Sequence, residues 1–285
     1  MSKFADDFTA YIKEIGFNVI RFADIKNGVL EEVTLKPSSL CQNAYSDAKV
    51  FVVTAAGLLY DEGRVKPEDR IIDLLGEDCP KKINPVYSDV TLGMALGHSA
   101  GFEEGLMDID RDDSNIYGED YLEYILNTKP SYMPGTDRIY SDAAYYLAAR
   151  SLENVCGESL EDYLWRKCLK EMNFREVAWA HCPKGHVIGA TGLYVYAGDM
   201  AKLAVLYMDG GVYNGKRLLS EKWVDIVINT PYEIAPAGFG ECHTKGAMYS
   251  QMLGFDAKHK LAFAWHAYDD MDPEILVDFI SKYGD

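Results

Sequence analysis

Between Cys41 and Gly63 the chain reads CQNAYSDAKVFVVTAAGLLYDEG, and after Ser46 the residues Ala48, Val50, Phe51, Val52, Val53, Ala55, Ala56, Leu58 and Leu59 leave almost no helical angle polar. A helix that is apolar all round must be buried, so the rest of the chain is obliged to surround this one. Ser46 and Asp47 suit its N-terminus, and Gly63 suits the left-handed position that ends it. Ser46 and Lys49 also form the only SxxK of the sequence, a spacing that puts both side chains on one face, one turn apart. Burial disfavours an ammonium, and the amine so produced could take a proton from the hydroxyl. The helix N-terminus favours negative charge developing beside Ser46. About one SxxK arises by chance in a chain of this length, and the bland reading is a capping serine followed by a lysine that reaches water.

With 285 residues, 48% of them hydrophobic, the chain can bury a large core as one domain or two intimate ones. A net charge of -17 repels phosphate backbones and anionic lipid, which disfavours nucleic-acid and membrane partners. The N-terminus lacks the apolar stretch of a signal peptide, and no run reaches the roughly 18 apolar residues of a transmembrane helix, so a cytoplasmic location is expected. Six cysteines without any CxxC read as reduced thiols. His181, Cys182, His186, Cys242 and His243 do not fall at a usual zinc spacing, and neither metal nor cofactor is expected.

Residues 3 to 15 predict an amphipathic helix, and 17 to 23 and 29 to 35 two strands around an Asn27-Gly28 hairpin turn. After the central helix come short helical pieces broken by Pro and Gly, then helices beginning near Ser141, Ser159 and Asp199. Two strands, 247 to 255 and 260 to 266, and a helix over 273 to 282 close the chain. The expected class is α+β: an antiparallel sheet built from both termini and flanked by N- and C-terminal helices, with a mainly helical lobe inserted. The sheet domain is placed on residues 1–62 and 187–285, the lobe on 63–186.

A second serine motif, Gly97-His98-Ser99-Ala100-Gly101, fits GxSxG. The nucleophile elbow it would form needs a buried strand before and a well-formed helix after, and neither is evident. Tyr140, just before a helix N-terminus in IYSD, is unremarkable alone among 20 tyrosines.

Taken together, Ser46-xx-Lys49, Tyr140-Ser141-Asp142 and the KGAMYSQ that begins at Lys245 resemble the serine beta-lactamase and penicillin-binding-protein superfamily, in its class C beta-lactamase-like branch. LCQNAYSDAKVFVVTAAGLLYDEGRVKPEDRI is similar to that family's nucleophile helix and its sequel. VTLGMALGHSAGF is similar to the segment usually reading LLTHTSGL, and GLYVYAGDMAKLAVLYMDGGVYNGKRLLS to the stretch before the last strands. The likeness runs from about residue 30 onward. It implies a beta-lactamase/transpeptidase-like fold, Ser46 as acylated nucleophile, Lys49 as the adjacent amine, Tyr140 as general base, and an oxyanion hole from the N–H groups of Ser46 and Met248. Asp142, Lys245 and His243 are the residues it offers for binding substrate.

Two departures matter. Asp142 stands where an asparagine is common, and a carboxylate near Lys49 would favour the ammonium and shift base duty to Tyr140. Lys245-Gly246-Ala247 lacks the threonine of KTG, while His243-Thr244-Lys245-Gly246 offers a shifted register. The expected function is that of a serine hydrolase acting through an acyl-enzyme on a small ester or amide, with weak or no beta-lactamase activity. The alternatives are a catalytically silent binding module of the same fold, a D-aminopeptidase or carboxypeptidase, and a beta-lactamase. Oligomeric state is open.

Overall fold

The computed structural model describes residues 2–230 and 232–283. Its organising layer is a six-stranded antiparallel sheet in the order β2-β1-β6-β5-β4-β3. The strands are β1 (Val19–Lys26), β2 (Val29–Thr34), β3 (Ala235–Pro236), β4 (Cys242–Ala247), β5 (Gln251–Asp256) and β6 (Leu261–Ala267). The expected hairpin forms at Asn27 and Gly28, both with positive φ (53° and 75°), as a tight two-residue turn requires. β1 then pairs with β6, Phe22 opposite Trp265 and Ala23 opposite Ala264, so the two ends of the chain meet at the centre of the sheet.

Side-chain alternation along β6 assigns the two faces different neighbours. Leu261, Phe263 and Trp265 point to one side, where α1 (Lys3–Ile15) brings Phe4, Phe8 and Ile12 and the last helix, Glu274–Lys282, brings Leu276, Val277 and Ile280. Ala262 and Ala264 point to the other, into the main core. Their small side chains leave room for the helix Ala197–Met208, buried along nearly its whole length, to lie directly on the strands. A second sheet of three short strands, Cys41–Asn43, Leu193–Tyr196 and Val177–Trp179, lies beside the central helix.

That helix, α2 (Ala48–Asp61), is buried at every residue from Ala48 to Leu59. It is walled by α3 (Asp142–Cys156), by the helix Glu221–Asn229 and by the short helices of the inserted lobe. Gly57 lets Trp223 approach so closely that a Cβ there would fall 2.3 Å from its Cδ1. No helix among the described residues is long and apolar enough to cross a membrane.

Several elements differ from the sequence reading, among them the three strands of the second sheet, which were not anticipated. The strand expected over 247 to 255 begins only at Gln251, because Tyr249 (φ 58°) and Ser250 (φ 62°) turn the backbone into the left-handed region before it, and β4, which ends at Ala247, was not anticipated. The helix Glu221–Asn229, capped by Ser220 accepting the Trp223 N–H at 3.1 Å, was not anticipated.

Gly57→Ala is expected to cost about 1–3 kcal/mol, since overpacking against the buried Trp223 ring forces a shift in α2 or its neighbour; urea denaturation checks it, and wild-type stability would contradict the contact. A second expectation concerns Asp24 on β1, 4% exposed and with Oδ1 lacking a hydrogen-bond partner. Burial pushes its carboxyl up to about 7, helped by Glu31 and opposed by Lys26. Between about pH 4 and 7 the folded chain therefore holds a proton that the unfolded chain has lost, and this group's contribution to stability falls as pH rises through that window. Asp24→Asn should gain on the order of 1–2 kcal/mol over wild type at pH 8 and nothing at pH 4. Equal effects at both pH values would contradict it.

Candidate active site

Ser46 does not cap the central helix. It sits in a 3-10 turn, Tyr45–Asp47, that leads into α2, and Asp47, at the N-cap position, makes no side-chain cap. The turn is entered through Tyr45 in the left-handed conformation (φ 48°). The hydroxyl is thereby freed from local bonding and faces a cavity of about 490 Å³.

Lys49 follows one turn later with no exposed surface. Its ammonium donates to Ser46 Oγ at 3.1 Å, Asp142 Oδ1 at 2.7 Å and the Ala190 carbonyl at 2.9 Å, so all three protons are placed. Burial works against the charge, but Asp142, with smaller help from Tyr140 and Glu233, outweighs it and holds the ammonium above its ordinary range. Asp142, which the sequence had singled out as a departure, thus works against the deprotonated amine that burial alone would favour.

Tyr140 immediately precedes Ser141, the N-cap of α3. Its hydroxyl donates to Ser46 Oγ at 2.8 Å. The Lys49 and Lys245 ammonium groups lie 4.8 Å and 5.2 Å from its ring centre. A negative charge on that phenol oxygen would be met by both cations. Lys245, Gly246, Ala247 and Met248 run along the cavity from the end of β4, which favours the Lys245-Gly246-Ala247 register of the third motif.

Lys245 is not a free cation. Its ammonium pairs with Glu233 Oε2 at 2.7 Å, and Glu233 in turn meets His98 Nε2 through Oε1 at 2.7 Å. Burial opposes ionisation of Glu233, yet Lys245 and then His98 carry its carboxyl well below the usual range. Burial lowers His98 in spite of Glu233, and Glu233 outweighs burial to hold Lys245 raised. Asp47, fully buried with neither oxygen bonded, is pushed well above the carboxylate range by desolvation, against the pull of Lys245 and Lys49.

His243 is not brought to the cavity. It lies two residues before Lys245 on β4, where its ring stacks on Phe255 at 5.1 Å and Nδ1 faces the Glu241 carbonyl. The GxSxG serine is also elsewhere: Ser99 Oγ donates to the Met94 carbonyl at 3.3 Å. His181 and His186 sit on Glu161 and Glu153, and Cys242 is buried in the terminal-helix core, so the paper zinc set stays scattered. Sequence reasoning missed His98 and Glu233; the first was hidden inside GxSxG, and the second had no motif at all.

The opposite wall of the cavity is acidic: Glu104, Asp108 and Asp110, with Arg111 among them. Asp108, Asp110 and Asp142 each bring an oxygen to within 4.8 Å of the others. Lys49 engages Asp142, Arg111 lies 3.7 Å from Asp108, and the Thr191 hydroxyl donates to Asp110. Burial raises both Asp108 and Asp110, with Asp142 adding to it. The cluster is partnered by the chain's own donors, and nothing in it requires a metal.

Comparison with known proteins fits this geometry. The beta-lactamase family model matches residues 13–270. The chain belongs to the beta-lactamase family. Among solved structures, a candidate 6-aminohexanoate-dimer hydrolase of Bacillus anthracis superposes with a TM-score of 0.79 at 17% identity, covering 95% of this chain and 80% of that one. A family VIII carboxylesterase gives 0.73 at 16% identity, covering 97% and 95%. At such identities the likeness concerns the fold, which is the α+β beta-lactamase/transpeptidase-like arrangement. A protein of Escherichia coli K12 named as a candidate D-alanyl-D-alanine carboxypeptidase is 24% identical over 246 residues, 68% of this chain and 57% of its own length, so the chain spans little more than half of that relative.

Asp142→Asn should destabilise the beta-lactamase-family fold by about 1–3 kcal/mol, because a buried ammonium loses its counter-charge while keeping a hydrogen-bond acceptor. Adding Lys49→Met should recover part of the loss. Chemical denaturation of both variants checks this, and additive losses would contradict the pairing.

Proposed function

We propose that the chain is a serine hydrolase that forms an acyl-enzyme on Ser46 and acts on short esters or amides. One observation carries this reading: the Ser46 hydroxyl, at the mouth of an open cavity, is met at once by the Tyr140 hydroxyl and the Lys49 ammonium. Lys49, held charged by Asp142, has no free lone pair, so Tyr140 is the group left to take the serine proton. In the reactive form Tyr140 has given up its own proton to solvent, and as Ser46 Oγ attacks the carbonyl carbon the serine proton passes to the Tyr140 phenolate oxygen and from there to the leaving alcohol or amine. The oxyanion is received by the N–H groups of Ser46 and Met248, the latter on the cavity wall. Water entering by the same side is activated by Tyr140 and releases the acid.

The charges of the cavity support esters over beta-lactams. A beta-lactam is held by its carboxylate, but Lys245 is committed to Glu233 and the facing wall is acidic. One lost charge-assisted hydrogen bond costs about 1.5–3 kcal/mol, or one to two factors of ten. The same wall favours a second, narrower reading in which the acyl group carries an amine, as in an aminopeptidase substrate. A silent binding module is the remaining alternative, resting on the departures at Asp142 and Ala247.

Steady-state assays separate the three. p-Nitrophenyl butyrate is expected to show a kcat/KM at least about tenfold above that of nitrocefin, with Ser46→Ala as blank. Tyr140→Phe should lose about 100-fold or more in turnover. An alanine p-nitroanilide should be cleaved about two to five times better than its N-acetyl counterpart if the amine reading is right. Nitrocefin as the better substrate would contradict the ester preference, and no turnover of any of them, at the Ser46→Ala background, would leave the binding module.

A further inference from the structure

His98 and Glu233 lie behind the reacting groups, touch neither Ser46 nor the cavity, and are both held in backbone conformations that non-glycine residues rarely adopt. His98 has φ 56° and Glu233 φ 71°. At Glu233 the Ile234 N–H reaches back to the Tyr232 carbonyl at 2.9 Å, which closes a three-residue turn of the positive-φ kind, a rare and strained one. Such strain persists only where the surroundings over-determine it. Here they do: both side chains are almost wholly buried (His98 0%, Glu233 2% exposed) and every polar atom of the two is committed to a partner at the site.

The bonds form a continuous bracket. The Ser141 N–H donates to His98 Nδ1 at 3.3 Å, which leaves the proton on Nε2 to be donated to Glu233 Oε1 at 2.7 Å. Glu233 Oε2 accepts from the Lys245 ammonium at 2.7 Å. The His98 carbonyl accepts from the Ile139 N–H at 2.9 Å, and the imidazole ring lies against the Tyr140 ring with centres 4.4 Å apart. Residues 139, 140 and 141 are therefore gripped by His98 from three sides. The other end of the bracket grips Lys245 near the end of β4. These two segments are far apart in the chain, and among the described residues no hydrogen bond joins them directly.

We propose that Glu233 and His98 are positioning residues that fix the Tyr140 hydroxyl over Ser46 and hold the Lys245 ammonium beside the Tyr140 ring, away from substrate. The inference rests on the reading of Ser46 and Tyr140 as nucleophile and base. A carboxylate there is needed for its reach as well as its charge: two oxygens on one rigid plane span His98 and Lys245 simultaneously. Glu233→Asp keeps the charge but is one methylene shorter, so it can serve one partner only. This separates positioning from simple neutralisation of Lys245.

Crystal structures of Glu233→Asp and Glu233→Gln are the first test. The Tyr140 hydroxyl is expected to move beyond hydrogen-bond distance of Ser46 Oγ, more than about 3.5 Å, or the Lys245 ammonium to leave the Tyr140 ring. Both groups unmoved in both variants would overturn the proposal. The second test is kinetic: with p-nitrophenyl butyrate both variants should lose about 10- to 100-fold in kcat with KM changed less than about threefold, as a displacement on the order of 1 Å can cost 100-fold. Wild-type kcat in Glu233→Asp would overturn positioning and leave only a counter-charge. Should Glu233→Gln fail to fold because Lys245 is left unpaired, Glu233→Asp carries both tests alone. If wild type itself neither labels nor turns over esters, the hydrolase reading falls, while the crystallographic comparison still decides whether the bracket sets these positions.

Discussion

Everything at the site depends on burying one ammonium. Lys49 stands inside the first turn of a helix that is apolar on all sides, where an isolated charge would be lost by deprotonation. Asp142 at 2.7 Å and the Ala190 carbonyl at 2.9 Å prevent that, and so tie the start of α3 and the loop before Leu193 to the root of α2. The third proton of the ammonium is left pointing at Ser46. The same contact that keeps the central helix tolerable therefore orients the hydroxyl and closes Lys49 as a base. In the proposed mechanism Tyr140 takes that role, standing two residues from Asp142 and arriving with it.

Charge is balanced pairwise around this centre. Lys49 has Asp142 and Lys245 has Glu233, while burial raises the carboxyl of Asp47, neither of whose oxygens has a hydrogen-bond partner. The interior pairs cancel, so the field at the cavity mouth is set by Glu104, Asp108 and Asp110 against Arg111. It is negative there.

Much of the fold was legible because its signals are local. The all-round apolar helix, the Asn27-Gly28 turn, the amphipathic first helix and the Ser141 start of α3 each follow from periodicity or capping within a few residues. Ser46, Lys49, Tyr140 and Lys245 were legible because three short motifs occur in the right order. Glu233 was not: in TPYEIAP it is one of 45 acidic residues, with no periodicity to mark it, and only the tertiary fold buries it. His98 was read as part of a competing serine motif, whose Ser99 hydroxyl meets the Met94 carbonyl rather than the cavity at Ser46. The kink at Tyr249 and Ser250 was missed because neither residue type advertises a positive φ. His243 was offered by the shifted His243-Thr244-Lys245-Gly246 register; with Lys245 at the cavity, His243 lies two residues back on β4, roughly 7 Å along the strand.

The central claim is that Ser46 is the nucleophile. A fluorophosphonate that phosphonylates activated serines tests it most directly, through intact mass followed by peptide mapping on wild type, Ser46→Ala and Ser99→Ala. A single adduct is expected on the peptide containing Ser46, absent in Ser46→Ala and undiminished in Ser99→Ala. An adduct mapped to Ser99, or a wild-type protein that takes up no label while folded, would contradict it.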